Sequence, residues 1–314
     1  MADAKAAPKK EKDSEMVAFL KDFAIGGTAG GISKTIAAPI ERVKLLIQTQ
    51  DANPKIRSGE VPRYTGIMNC FTRVHAEQGM LSFWRGNGAN VMRYIPQQAF
   101  NLSFKDTIKK LFPKYSPKTD FGMFFAVNLA SAGMAAAGSL SICYPLDFAR
   151  TRLASDVGGG KKTFNGIGDC IKKTVANQGI AGLYNGFGAS VAGVVVYRGL
   201  QMGFMDSIMG LNPWQKDRGI LGLVTCFVAA QVAGVVARPF NYPFDTVRRR
   251  LQMESEKPMA DRIYKGTLHC ATTIVKTEGI TGLYKGIVAD VVRGAGSSAL
   301  VLVAYDRIKL LLDL

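Results

Sequence analysis

The sequence predicts an all-α membrane protein: six transmembrane helices in three pseudo-symmetric repeats, with three short surface helices between them. Three observations carry that prediction. The segments Pro39-Ile40-Glu41-Arg42-Val43-Lys44, Pro145-Leu146-Asp147-Phe148-Ala149-Arg150 and Pro243-Phe244-Asp245-Thr246-Val247-Arg248 all read Pro-x-acid-x-x-base, about one hundred residues apart. Aligned with itself at an offset of one hundred, the chain sets Tyr64-Thr65-Gly66 and Cys70 on Phe164-Asn165-Gly166 and Cys170, and on Tyr264-Lys265-Gly266 and Cys270. A register kept through about thirty residues in three copies marks an internal repeat. The composition is 47% apolar with 34 glycines, yet the net charge is +16. No stretch holds twenty clean apolar residues, but several of 20–25 residues hold only one or two charges, as in polytopic proteins whose polar groups line a watery path.

Taken in order, residues 1–15 are rich in Lys and Ala with both signs of charge. They have neither an apolar core region nor an Arg-rich amphipathic pattern, so they read as a flexible, solvated tail rather than a cleaved signal. The remaining residues, 16–314, form one domain of three repeats, about 17–115, 116–214 and 215–314. Each repeat opens with an apolar, small-residue segment (17–50, 122–154, 219–252), kinked by its motif proline. A polar segment behind an aromatic-x-Gly turn follows as a surface helix (66–77, 166–177, 266–277), and a second apolar segment closes the repeat (88–111, 188–209, 288–312). Gly26, Gly27, Gly30 and Gly31, and the Ala/Gly/Ser run at 130–141, suit close helix contact in lipid. Pro239 and Pro243 together predict a strongly bent fifth helix.

Several classes of function fit poorly. Two histidines, His75 and His269, stand without a nucleophile–base arrangement or a metal-ligand cluster, so an enzyme is not indicated. Gly158-Gly159-Gly160-Lys161-Lys162-Thr163 lacks the spacing of a phosphate-binding loop and reads as a flexible loop. Five cysteines without a Cys-x-x-Cys pair, three of them repeat-equivalent, read as packed thiols. The basic excess fits nucleic acid, anionic lipid or an anionic solute, and its placement in and beside apolar segments favours the last two.

Lys34, Arg93 and Arg293 lie mid-segment, where insertion costs about 2.5–3.5 kcal/mol each. Together they would forbid a lipid-facing position, so they should face a wet interior, unless they pair with buried carboxylates or reach the headgroups. Arg93, Gly193 and Arg293 are repeat-equivalent, which puts them on one level of a symmetric pore. Arg238 precedes Pro243 by five residues, as Lys34 precedes Pro39, so it too should face the interior. Asp290 sits one turn from Arg293 and is expected to pair with Arg238 or Arg293 across the fifth and sixth helices.

The triple motif, the turns Trp84-Arg85-Gly86, Tyr184-Asn185-Gly186 and Tyr284-Lys285-Gly286, and the stretches Ser33-Lys34-Thr35, Arg93-Tyr94-Ile95-Pro96 with Asn101, Phe148 to Ala154, Val196-Tyr197-Arg198 and Arg248-Arg249-Arg250 resemble the mitochondrial carrier family over nearly the whole chain, and within it the ADP/ATP carriers. The resemblance implies a six-helix bundle in the mitochondrial inner membrane that exchanges ADP for ATP by alternating access and needs no cofactor. It assigns Lys34, Arg93 and Arg293 to phosphate, Gly193, Val194 and Tyr197 to the adenine region, and puts Arg249 at the site. It implies a matrix gate of three ion pairs, Glu41 with Arg150, Asp147 with Arg248 and Asp245 with Lys44. Gln48 and Gln252, each four residues after a motif base, could brace that gate. A cytoplasmic gate is expected from Asp106 with Lys109, Asp206, and Asp306 with Lys309; Met209 stands where the middle copy should have a base, so at most two pairs are expected there. Cardiolipin is implied as a bound structural lipid at Gly66, Gly86, Gly166, Gly186, Gly266 and Gly286.

Two departures keep other readings open. The arginine triplet runs on as Leu251-Gln252-Met253 where ADP/ATP carriers continue with three methionines, and Ala237-Arg238-Pro239-Phe240-Asn241 carries a charge and an extra proline. The alternatives are a carrier for another adenine nucleotide or phosphate-bearing anion, and a carrier-fold structural subunit associated with a larger inner-membrane complex.

Overall fold

The computed structural model describes residues 9–113, 115, 120–158, 163–210, 212, 214, 219–254 and 262–311; these form helices and turns, with no strand among them. The helices are α1 (Lys9–Thr49), α2 (Pro54–Arg57), α3 (Ile67–Gln78), α4 (Asn87–Lys109), α5 (Phe121–Ala154), α6 (Ile167–Gln178), α7 (Phe187–Gly210), α8 (Ile220–Met253), α9 (Thr267–Glu278) and α10 (Ile287–Leu311). Each surface helix, α3, α6 and α9, starts one residue later than the pattern gave, because the glycine of the aromatic-x-Gly turn is its N-cap. α1 begins inside the stretch read as a tail; its lysines and glutamates from Lys9 onward are good helix formers. The single turn α2 was not announced by the pattern: Pro54 opens it at the position where a missing N–H costs nothing, and Asn53 caps it by accepting from the Lys55 amide at 3.1 Å.

Six helices are long enough to span a bilayer. The shortest, α4, has 23 residues, or about 35 Å against a hydrocarbon core of about 30 Å. Three segments, Gly122–Ala154, Ile180–Gly210 and Val224–Met253, also meet an apolarity criterion for spans. α1, α4 and α10 carry more charge and divide it from their apolar side chains. On α1, Ile32, Ile36 and Ile40 are exposed at a spacing of four, while Lys44 is buried. On α8, Val224, Val228, Val232, Val236 and Phe240 form the same kind of exposed stripe. An apolar exterior around a charged interior reverses the pattern of a water-soluble bundle and matches lipid outside and water inside.

The six long helices close a ring: α1 packs on α4 and α10, α4 on α5, α5 on α7, α7 on α8, and α8 on α10. All four prolines expected at kinks in the odd-numbered spans, Pro39, Pro145, Pro239 and Pro243, lie inside helices, two of them in α8. Below each motif proline the helix packs on the surface helix of its own repeat. Val43, Leu46, Tyr64, Cys70 and Val74 make one such core, Phe148, Phe164, Cys170 and Leu183 the second, and Val247, Leu251, Tyr264, Cys270 and Ile274 the third. Cys70, Cys170 and Cys270 are free and fully buried there, and burial pushes their thiols up to about 12, 11 and 12, which keeps them neutral and inert.

Candidate functional site

The ring encloses a cavity of about 370 Å³. Its wall carries nine basic side chains (Lys34, Lys44, Arg93, Arg150, Arg198, Arg238, Arg248, Arg249, Arg293) against four acids (Glu41, Asp147, Asp245, Asp290). Lys34 on α1, Arg93 on α4, Arg238 on α8 and Arg293 on α10 therefore share one chamber, as their mid-helix positions required. Val194 and Tyr197 of α7 lie on the same wall, with Ala136 and Leu140 of α5 adding apolar surface. Gly193 is not on that wall. It is buried behind it, where a Cβ would come within 2.6 Å of Asn241 and 2.9 Å of Phe244, so its place is the close approach of α7 to α8. A basic chamber with one apolar side can hold a solute with several negative charges and a flat apolar part.

The floor of the cavity is a ring of ion pairs. Glu41 pairs with Arg150 and Asp147 with Arg248, and Lys44 Nζ lies 2.8 Å from Asp245 Oδ2. Each repeat gives its acid to one neighbour and its base to the other. Gln48 Nε2 donates to Asp245 Oδ2 at 3.2 Å and to Thr246 Oγ1 at 3.0 Å, and Gln252 Nε2 donates to Asp147 Oδ2 at 3.2 Å. The equivalent position in the second repeat is Ala154, so that copy has no glutamine. Arg249 ties two pairs together: it lies 3.5 Å from Asp147 Oδ2 and 3.4 Å from Asp245 Oδ1, and donates to Thr151.

Asp290 meets both partners expected of it and a third that was not. Its Oδ1 is 3.0 Å from Arg293 Nη2, its Oδ2 is 3.3 Å from Arg238 Nη1, and Oδ1 is also 3.0 Å from Lys44 Nζ. Arg93, by contrast, is 3.9 Å from Asp147 and donates to Gln97, leaving it close to the floor without a tight pair.

The turn glycines divide into two kinds. Gly86, Gly186 and Gly286 have φ of 81°, 82° and 88°, and a Cβ there would meet the backbone carbonyls of Arg150, Arg248 and Lys44 at 2.9, 2.8 and 3.3 Å. Each even-numbered span thus starts against the helix that carries a base of the ring. Gly66, Gly166 and Gly266 are N-caps with open space around them. The side chains of Asp106, Lys109, Asp206, Asp306 and Lys309, expected at the opposite end, lie outside the described residues. Met209 there contacts Cys226, sulfur to sulfur, at 3.8 Å.

Reading the residues missed a second layer beneath the floor. The bases of the aromatic-base-Gly turns reach carboxylates across the seams between repeats. Lys285 Nζ is 2.6 Å from both Asp51 and Glu278, and fully buried Arg250 is 3.3 Å from Asp51 and pairs with Glu278. Arg85 and Lys55 lie 3.8 and 3.6 Å from Asp156 at the next seam. In the middle copy Asn185 donates instead to Gln178 Oε1 at 3.3 Å. Burial pushes the Glu278 carboxyl up, but hydrogen bonds from Arg250 and Lys285 prevail and hold it at about 2. The signal that could have found this layer was present: the acid at 278 replaces the glutamines at 78 and 178 in the copy that also carries Arg250.

Comparison with known proteins agrees with this architecture. A family model described as mitochondrial carrier protein matches residues 15–116, 122–213 and 221–313. The chain is similar to an ADP,ATP carrier protein of Parachlorella kessleri, with 57% identity over 96% of this chain and 88% of the relative. It is also similar to ADP/ATP translocase 3 of Bos taurus, with 49% identity over 94% of this chain and 98% of the relative, and to ADP/ATP translocase 4 of Mus musculus, with 47% identity over 95% and 92%.

Proposed function

The chain belongs to the mitochondrial carrier family, and on that premise we propose that it exchanges ADP for ATP across the mitochondrial inner membrane by alternating access. The observation that carries the proposal is the cavity itself, nine bases to four acids above a closed ring of ion pairs. Lys34, Arg93 and Arg293 hold the phosphates, with Arg238 as a further cation, and Tyr197 and Val194 hold the adenine against the apolar side. Arg249 stands below them as the cation that senses both the cargo and the floor.

The ring of pairs then serves as the matrix gate. The three pairs are buried in the closed form, where the attraction of each is offset by the cost of taking both charges out of water, so the ring with its two glutamine braces can close and still open. Bound polyphosphate supplies the negative charge that the basic wall lacks, so the loaded carrier can pass through a state in which pairs at neither end are complete. Asp106, Lys109, Asp206, Asp306 and Lys309 are the proposed gate at the cytoplasmic end, with Met209 leaving it the weaker of the two. Cardiolipin phosphate is proposed to bind at the surface-helix N-termini at Gly66, Gly166 and Gly266 and at the span N-termini at Gly86, Gly186 and Gly286, since the amides of a helix N-terminus favour an anion.

The test is uptake of labelled ADP by purified protein in cardiolipin-containing liposomes preloaded with ATP, ADP, AMP or phosphate. Uptake only against internal ADP or ATP is the expected result. Uptake against AMP or phosphate would move the chain to a carrier of other phosphate-bearing anions. No uptake by folded protein would leave a structural subunit of an inner-membrane assembly, with Arg238-Pro239 as the lesion.

A further inference from the structure

Asp290 stands between the cavity and its floor, and its contacts run both ways. Toward the cavity it holds Arg293 at 3.0 Å and Arg238 at 3.3 Å; toward the floor it holds Lys44 at 3.0 Å, which in turn is 2.8 Å from Asp245. Lys44 is therefore shared by two carboxylates, and Asp290 by three cations. Arg238 is fixed in this arrangement: Nη1 also donates to the Asp290 carbonyl at 2.8 Å, and the guanidinium occupies the space that a Cβ on residue 294 would need, about 2 Å away. Asp290 is 7% exposed, so these charges compete in a poorly screened setting. Four charges on three helices thus form a line from the phosphate-binding wall to one pair of the ring.

We propose that Asp290 is a coupling residue: an anion in the cavity takes Arg293 and Arg238 from it, and the released carboxylate takes Lys44 from Asp245, opening that pair of the ring first. The inference deepens the exchange reading above and rests on it. A polyphosphate outcompetes one carboxylate for two guanidinium groups because it offers more charge and bidentate oxygens. A ligand shifts an equilibrium only through a difference in affinity between two states. Here the difference is the partner that waits for Asp290: in the opening state it gains the whole of Lys44, and in the closed state it has only a share. Among the described residues the other two pairs have no such second acid, since the wall carries only the three ring acids and Asp290. Opening therefore starts at the seam of α1 with α8.

The test compares wild type with Asp290→Asn, Asp290→Glu and Arg238→Gln. Calorimetric titration with ADP in detergent and cardiolipin reads the competition, and exchange of labelled ADP against internal ATP in liposomes reads turnover. Asp290→Asn should bind ADP about tenfold tighter, since no carboxylate must be displaced, while maximal exchange falls about tenfold, since nothing draws Lys44 from Asp245. Asp290→Glu should move both quantities back toward wild type. Arg238→Gln should bind ADP more weakly, because it removes a cation of the wall, and adding Asp290→Asn to it should restore part of the affinity, because Arg293 no longer has to be taken from a carboxylate. A residue that merely holds α8 to α10 would weaken binding and exchange together. Weaker or unchanged ADP binding by folded Asp290→Asn overturns the proposal, as does a fall of binding and exchange together in Asp290→Glu should the Asn variant fail to fold. Wild type that binds ADP but exchanges nothing sinks the exchange reading instead, and the titrations still decide whether Asp290 competes with the cargo.

Discussion

Arg238 and Asp290 form a pair whose members would each be out of place alone. An isolated guanidinium in α8 adds repulsion to a wall already rich in bases, and an isolated carboxylate in α10 competes for Lys44. Replacing either with alanine should therefore destabilise the protein more than its contacts alone imply. The double replacement should cost less than the sum of the singles by about 0.5–3 kcal/mol, read from thermal unfolding in detergent; strictly additive losses would refute the pairing. At the same scale, Gly86, Gly186 and Gly286 combine a left-handed backbone with a backbone carbonyl that a Cβ would meet at 2.9, 2.8 and 3.3 Å. Alanine at any of them should cost about 1–2 kcal/mol or more, most at Gly186. Gly88 and Gly188, one residue into the helices, have nothing within 4 Å of a Cβ, and alanine there should be neutral or gain up to about 1 kcal/mol. The placement of Lys34, Arg93, Arg238 and Arg293 in one chamber was legible, because a charge in an apolar segment has few places to go. The third partner of Asp290 was not. Lys44 and Asp290 are 246 positions apart, and no repeat offset relates them.

Between elements, the second layer of charges holds the repeats at their seams. Its titration has a definite sign. Glu278 is held at about 2 in the folded protein, against about 4.3 for an unperturbed glutamate. Its contribution is thus complete above the unfolded value and is lost as pH falls toward the folded one. Glu278→Gln should lower thermal stability at neutral pH, and the gap between wild type and variant should close as pH drops from about 4.3 to about 2. A gap that stays constant over that range would show that the Arg250 and Lys285 contacts contribute no net stability. The surface helices themselves were legible to within one residue, since the aromatic-x-Gly turn repeats at a fixed interval. The seams were not, because Asp51 and Asp156 stand 105 positions apart, off the hundred-residue register of the turns.

For the whole molecule, the threefold plan was the most legible feature, since three copies of one motif leave little choice of architecture. What the motif could not convey is how unequal the copies have become. Glutamine braces serve two pairs of the ring, and the pair between the first two repeats has none. Gln48→Ala and Gln252→Ala should each lower the melting temperature of the closed form by the equivalent of about 1 kcal/mol and speed labelling of cysteines introduced below the floor. Labelling that stays at the wild-type rate would mean that the braces do not hold the floor shut. The ring also runs in one sense only: the acid of the first repeat meets the base of the second, the acid of the second meets the base of the third, and the acid of the third meets the base of the first. A cycle of that kind has no beginning. With six spans, the start of α1 and the end of α10 lie at the same face, and the two helices pack side by side. The order of the repeats is therefore exchangeable, and a circular permutant that opens with the second repeat, with α10 joined to α1 by a short linker, should rebuild the same three handshakes.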